Sequence, residues 1–523
     1  MRQLGITDAA FINLENPTVP QQIGSLGIYD PSTAPGGFVR FKDVLRSFER
    51  RLLQNPVFRT RLVEVPFGLD RPYWVLDPNF DVEFHIRHIA LPKPGDWRQL
   101  CIQVARLHSR ALDMSRPLWE CYIIEGLDNI PDLPRGSFAV YTKIHHSLVD
   151  GVGGQAFMAA LHDLEPVPPA TDEYAETYPR FGDLQPSDIR LLGMTLARLP
   201  ERVAGTLKGG AAAARGIVQT ARRLLRNELP PAQLNGPKTR FDQPAGHNRV
   251  FEGRLFGLEE FKALKNAAGV TINDIAVALV AGSMRKYLLA HNELPAESLL
   301  ATMPVNMRTR GGDTEANNNK VGSMQASLHT NIADPRERVA AIKKSLDDGK
   351  LWIDTPLVSI MNIPGALPPL IAKPLWRNYV SNKLTRFLPL GQSTVITNIP
   401  GPPFPIYCAG AKLHCMYPLG LINPGLGLFH AVFSYGGNMS VSVLADREQM
   451  PDPEFYRSCL DAAWEELVEA LLKMPEPQPA PAAPRRKSAT GAADNGKPKP
   501  AAVRRKSASG RAASKPVRRA RSG

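Results

Sequence analysis

Apolar positions recur at helical spacing over residues 38–61, where Phe41, Val44, Leu45, Phe48 and Leu52 fall on one face. Short extended runs follow at 73–76 and 82–89, and the aromatic and β-branched runs 119–125 and 137–145 read as strands. Residues 153–164 return to a helical period, with Phe157, Ala160, Leu161 and Leu164 together. A second mixed stretch spans 250–472. It predicts a helix over 272–289, strands near 300–305 and 395–398, and a hairpin over 428–445 that turns at Gly436-Gly437-Asn438, where positive φ is needed.

Between these stretches, residues 165–186 are proline-rich with few periodic apolar positions, and 187–226 carry eight Lys or Arg, two acids and interspersed Leu, Ile and Val. Pro200 and Gly209-Gly210 predict that the latter segment is broken into a pair of helices, either packed on the lobes or lying on a membrane surface. Beyond Met474 the chain is Pro, Ala, Ser, Lys and Arg, which cannot repay its ordering entropy. The expected organisation is an α/β (α+β) fold. An N-terminal lobe takes 1–165, a linker and helical crossover 166–245, a C-terminal lobe 246–474, and a disordered basic tail 475–523.

Charge sharpens this picture. The net charge of +13 suggests nucleic acid until it is located: residues 485–523 hold 13 Lys or Arg and one acid, leaving the rest of the chain near neutrality. A basic tail on an ordinary enzyme body therefore fits better than a nucleic-acid-binding fold. Such a tail holds an anionic lipid surface through charge, or stays solvated. Five cysteines without a C-x-x-C pair argue against a disulfide framework or a zinc site, the N-terminus lacks a secretion signal, and prolines interrupt the apolar run 355–372. The expectation is a cytoplasmic protein, peripheral on the inner membrane or lipid inclusions where it meets lipid at all.

The chemistry concentrates in His145-His146-Ser147-Leu148-Val149-Asp150-Gly151, between a strand and a helix. Adjacent side chains on a strand face opposite ways, so one histidine serves a cleft and the other the structure. Asp150 and Gly151 suit the turn. A neutral imidazole can take a proton from an alcohol and return it to a departing thiolate, which fits acyl transfer from a thioester. Ser147 lacks the G-x-S-x-G elbow of a hydrolase, and adjacent histidines lack zinc-binding spacing, so no metal is expected.

This segment resembles the HHxxxDG signature of the bacterial wax ester synthase/acyl-CoA:diacylglycerol acyltransferase family, within the chloramphenicol acetyltransferase and condensation-domain superfamily. Further segments resemble the family in order: Asp8-Ala9-Ala10-Phe11, Arg116-Pro117-Leu118-Trp119-Glu120, Asn273-Asp274, Pro304-Val305-Asn306-Met307-Arg308, Thr397-Asn398-Ile399-Pro400-Gly401-Pro402 and Ser434-Tyr435-Gly436-Gly437. Where the family often shows Pro-Met-His, this chain has Pro20-Gln21-Gln22. The resemblance implies two chloramphenicol-acetyltransferase-like lobes with an interlobe tunnel, His146 as base, and Asp150 organising the loop. The cation for Asp150 would be Arg59, with Arg308 as second choice, and Asn273 would orient substrate or cap its helix. It also implies acyl-CoA as a substrate, with no cofactor, and diacylglycerol or a long-chain alcohol as acceptor. The competing readings are a condensation-type enzyme with a carrier-bound donor, and an inactive protein that binds a lipid surface or nucleic acid.

Overall fold

The structure is a computed structural model that describes residues 1–148, 158, 161–167, 185–231, 233, 236–306, 321–353, 355, 363–387 and 391–473. Asp150, Gly151, Arg308, most of the expected helix 153–164, the expected linker over 168–184 and the basic tail lie outside the described residues.

Two six-stranded mixed sheets organise the chain. The first orders Tyr407–Cys408, Ala411–Leu419, Gln22–Asp30, Phe138–His145, Trp119–Glu125 and Ile86–Ala90. The second orders Val321–Ser327, Leu300–Asn306, Thr394–Pro400, Leu428–Tyr435, Asn438–Asp446 and Arg249–Gly257. A small sheet joins Arg2–Gln3, Tyr73–Leu76 and Thr60–Val63. The expected hairpin forms in register, Leu428 opposite Ala445 and Tyr435 opposite Asn438, with Gly436 and Gly437 both at positive φ.

Three expectations are corrected. The first sheet is not built by residues 1–165 alone: Ala411–Leu419 from the second half pairs antiparallel with Gln22–Asp30, with a bulge between Leu413 and Cys415. Nothing local announces that pairing, because its partners lie nearly 400 residues apart and both strands alternate acceptably on their own. The run 82–89 opens with a helical turn, Val82–His85, because the Asp81 side chain accepts from the Glu83 amide, and only then extends as Ile86–Ala90. Finally, Asp188–Leu225 is one 38-residue helix despite Pro200. Its strong helix formers and Ser187 cap sustain it, and the carbonyl freed opposite the proline belongs to the exposed Leu196, within reach of water.

The core of the second sheet forms around one buried helix. The Ile272–Ala290 helix starts at a capping box between Thr271 and Asp274 and runs apolar on every side, with Ile275 through Ala281 fully buried against the sheet and the Pro453–Leu472 helix. Each large side chain buried this way stabilises the fold by about 1.5–3 kcal/mol. Among the described residues no single helix is long and apolar enough to cross a membrane; the bent pair Leu258–Ala268 and Ile272–Ala290 qualifies by composition, and its second arm is this core helix. The first sheet is covered on both faces. One face packs on Val44 and Phe48 of the Phe41–Gln54 helix, the other on Leu100, Val104 and Leu107 of Trp97–Ser109 together with Phe251 and Leu444 from the second half. The halves thus share a core, and the five cysteines are all buried and free, four of them in these two clusters and Cys459 in the core of the second sheet.

Candidate active site

Strand Phe138–His145 lies between Gln22–Asp30 and Trp119–Glu125 and is buried along its whole length. It ends at His145, whose amide donates to the Leu118 carbonyl at 2.9 Å, and the chain then tightens into a 3-10 turn, His146–Leu148. The His146 amide donates to the Gln21 carbonyl at 2.8 Å. Both backbones are therefore pinned, from opposite neighbours, and their side chains diverge.

His145 is the structural member. It is 1% exposed, its Nδ1 accepts from the Ser147 amide at 3.1 Å, and its Nε2 stands 3.2 Å from a Glu15 oxygen. Acceptance at Nδ1 puts the ring proton on Nε2, which donates to the carboxylate. The same Glu15 oxygen accepts the Gln21 amide at 2.6 Å. Ser147 Oγ also contacts His145 Nδ1 at 2.7 Å, so Ser147, His145 and Glu15 connect as a nucleophilic triad would. At 2% exposure for Ser147, no carbonyl can reach that hydroxyl, which removes the hydrolase reading from this serine.

His146 has a different environment. Its ring is only partly buried and stacks on Phe11, with centroids 3.9 Å apart and planes 18° from parallel. Nδ1 is buried without a hydrogen-bond partner at ordinary geometry among the described residues. Burial, with His145 second, depresses its pKa to about 4, and only its own backbone carbonyl acts the other way. The ring is therefore neutral at pH 7, as a proton acceptor must be. Because the folded value lies below the unfolded 6.5, the neutral ring persists as pH falls through 6 and is lost near 4. Turnover should thus hold between pH 8 and about 5 and fall below, measured as kcat/KM against pH; a midpoint at the ordinary histidine value would contradict this environment.

The supporting residues fall into place unevenly. Arg59 closes the turn Pro56–Arg59, which the Asn55 side chain caps, and its Nε is buried without a partner among the described residues. The expected carboxylate, Asp150, is outside them. Asn273 is not the helix cap: Thr271 holds that position, and Asn273, two residues on, accepts from Asn398 Nδ2 at 3.3 Å. Two motif segments distant in sequence therefore meet, at the second sheet. Two cavities, of about 420 and 370 Å3, lie elsewhere, one beside Trp74 of the small sheet and one along the Pro369–Ser381 helix, and neither is lined by His146.

Sequence reasoning missed Glu15, Phe11 as a ring platform, and Gln21. Phe11 and Glu15 flank the end of the Ile6–Leu14 helix, so one helix supports both histidines. Gln21, which departs from the family pattern, is buried, and its side chain bonds Val19 O at 2.9 Å and Asn423 Oδ1 at 3.0 Å. Asn13 Nδ2 reaches Pro364 O at 2.7 Å. The His146 turn is thus held by residues of both halves.

Comparisons with known proteins identify the family. Residues 4–276 match the wax ester synthase/diacylglycerol acyltransferase catalytic domain, and 318–468 match the WS/DGAT C-terminal domain. A putative diacylglycerol O-acyltransferase of Mycobacterium bovis is 31% identical over 469 residues, covering 89% of this chain and 98% of the relative. The O-acyltransferase WSD of Acinetobacter baylyi is 30% identical over 460 residues, covering 86% and 93%. The solved wax ester synthase/diacylglycerol acyltransferase of Marinobacter aquaeolei superposes with a TM-score of 0.59 at 27% identity, covering 89% of this chain and 98% of that one. Matched over both its catalytic and its C-terminal domain, the chain belongs to the wax ester synthase/diacylglycerol acyltransferase family.

Proposed function

We propose that the chain transfers a fatty acyl group from acyl-CoA to the hydroxyl of diacylglycerol, giving triacylglycerol, or to a long-chain alcohol, giving a wax ester, with His146 as general base. O-acyl transfer follows from family membership. The observation that carries the mechanism is the neutral ring of His146, only partly buried and stacked on Phe11. With the proton on Nδ1, facing the residue's own carbonyl, Nε2 takes the hydroxyl proton. The oxygen attacks the thioester carbonyl, the C–O bond forms, and collapse breaks the C–S bond. The proton then passes from Nε2 to the thiolate, and coenzyme A leaves as the thiol. No acyl-enzyme forms. Asp150 pairing with Arg59, whose Nε has no partner among the described residues, would brace the loop, and an interlobe tunnel would bring the two substrates to the ring from opposite sides.

Coenzyme A is substrate here, and no resident cofactor or metal takes part in this scheme. Location in the cytoplasm with peripheral attachment to the inner membrane or lipid inclusions, through the Asp188–Leu225 helix and the tail 485–523, belongs to the same proposal. The test is a panel of acceptors with labelled palmitoyl-CoA and the full chain. Labelled triacylglycerol or wax ester is expected. Product from an amine alone, a requirement for a carrier-bound donor, or release of free fatty acid only would overturn the reading.

A further inference from the structure

One surface departs from the usual polar dressing. On the Pro369–Ser381 helix, Ala372 is buried and Trp376 and Tyr379 are half-buried, with their rings stacked at 5.4 Å, so this face is the one packed on the protein. The outward face nevertheless carries Leu370 at 56% exposure, Ile371 at 48% and Leu375 at 60%. The backbone of Gly68 abuts the Leu370 amide, which places the neighbouring Phe67, 76% exposed, beside them. Lys373 pairs with Glu64 on the same stretch as that turn, so the two elements are tied. Singly scattered apolar residues need no explanation, but a cluster of four large ones on adjacent elements does.

Apart from Glu64, which Lys373 neutralises, the segment that carries the helix is basic. From Ile363 to Phe387 the chain holds Lys373, Arg377, Lys383 and Arg386 and no acid. Lys373 is satisfied by Glu64, while Arg377 and Lys383 are exposed with no ion-pair partner among the described residues. Large apolar side chains beside exposed cations match a phospholipid surface with anionic head groups: the side chains enter the acyl boundary and the cations meet phosphates.

The cluster is also coupled to the chemistry. The Ile363–Ala366 turn and the Pro369–Ser381 helix pack on the Ile6–Leu14 helix. Gly365 permits the closest approach, since a Cβ there would collide with the Ile6 carbonyl, and Asn13 Nδ2 locks it by donating to Pro364 O and Leu367 O. That same helix carries Phe11 against His146. We infer that Phe67, Leu370, Ile371 and Leu375, with Arg377 and Lys383, form the surface that inserts into an anionic phospholipid bilayer, one helix away from the catalytic ring. The inference deepens the proposed function by naming where a membrane-dissolved acceptor alcohol would meet the enzyme.

The experiment is co-sedimentation of the full chain with phosphatidylcholine vesicles, with and without phosphatidylglycerol, repeated at roughly 1 M salt, where a Debye length of about 3 Å screens a purely electrostatic attraction by the tail. The parent chain should bind vesicles containing phosphatidylglycerol better and retain part of that binding at high salt. L370Q combined with L375Q should lower the high-salt partition about tenfold or more, and F67S should lower it less. L370M with L375M, which keeps the apolar surface, should bind as the parent does. Unchanged partition in the glutamine variant would overturn the proposal, as would a loss of self-association by that variant in place of vesicle binding. Partition is read without turnover, so its result is independent of the acceptor panel.

Discussion

Replacing His146 by alanine should lower acyl transfer about 10^3-fold or more while leaving the thermal unfolding midpoint close to that of the parent. The ring is only partly buried, its Nδ1 has no partner among the described residues, and its main packing contact is the face of Phe11. Removing it therefore strands no buried polar group, and the backbone bond from its amide to Gln21 survives in alanine. What disappears is the only acceptor assigned to the hydroxyl proton. Retained turnover in the variant would refute the base.

The opposite balance is expected one residue earlier. His145→Ala should cost about 2–4 kcal/mol of stability, read by denaturant unfolding, because it leaves the buried Glu15 oxygen, Ser147 hydroxyl and Ser147 amide without their shared partner. Turnover should fall as well, because the displaced turn carries His146, but this loss should be smaller than for His146→Ala when the folded fraction is taken into account. Equal stability in the two variants would contradict the division of labour between these neighbours. Glu15→Gln is the informative control. It keeps an acceptor oxygen for both donors and should retain most of the stability that His145→Ala loses.

The distinction between the two histidines illustrates what is readable in a chain of residues. The type and spacing of His-His-Ser-Leu-Val-Asp-Gly is compact enough to be recognised without a structure, but strand alternation is not what separates the pair, because His145 ends the strand and His146 opens the 3-10 turn. Which partner fixes each ring is not local. Glu15 lies 130 residues from His145, and nothing in Leu14-Glu15-Asn16 marks it as a carboxylate aimed at an imidazole. Phe11 sits inside a segment that resembles the family, yet its stacking on His146 needs the Ile6–Leu14 helix to dock against the turn.

The fold shows the same limit. The Ile272–Ala290 helix is legible as an uninterrupted apolar run of helical length, and the hairpin around Gly436-Gly437 because alternation and turn residues agree within a short window. The exchange of Ala411–Leu419 into the first sheet is not, since strand partners are chosen by burial on a face assembled from both halves. Pro200 misleads for a simpler reason. Its penalty is smallest on an exposed helix, where water takes the freed carbonyl, and Asp188–Leu225 continues through it.

The central claim is that a neutral imidazole at position 146 accepts the acceptor's proton, and the dependence of kcat/KM on pH for the full chain tests it most directly, with palmitoyl-CoA and one fixed alcohol. The site described here predicts a rate that is level from pH 8 to about 5 and lost through a single protonation near 4. A rate that halves near 6.5, or one that climbs steadily with hydroxide and has no protonation step at all, would contradict it.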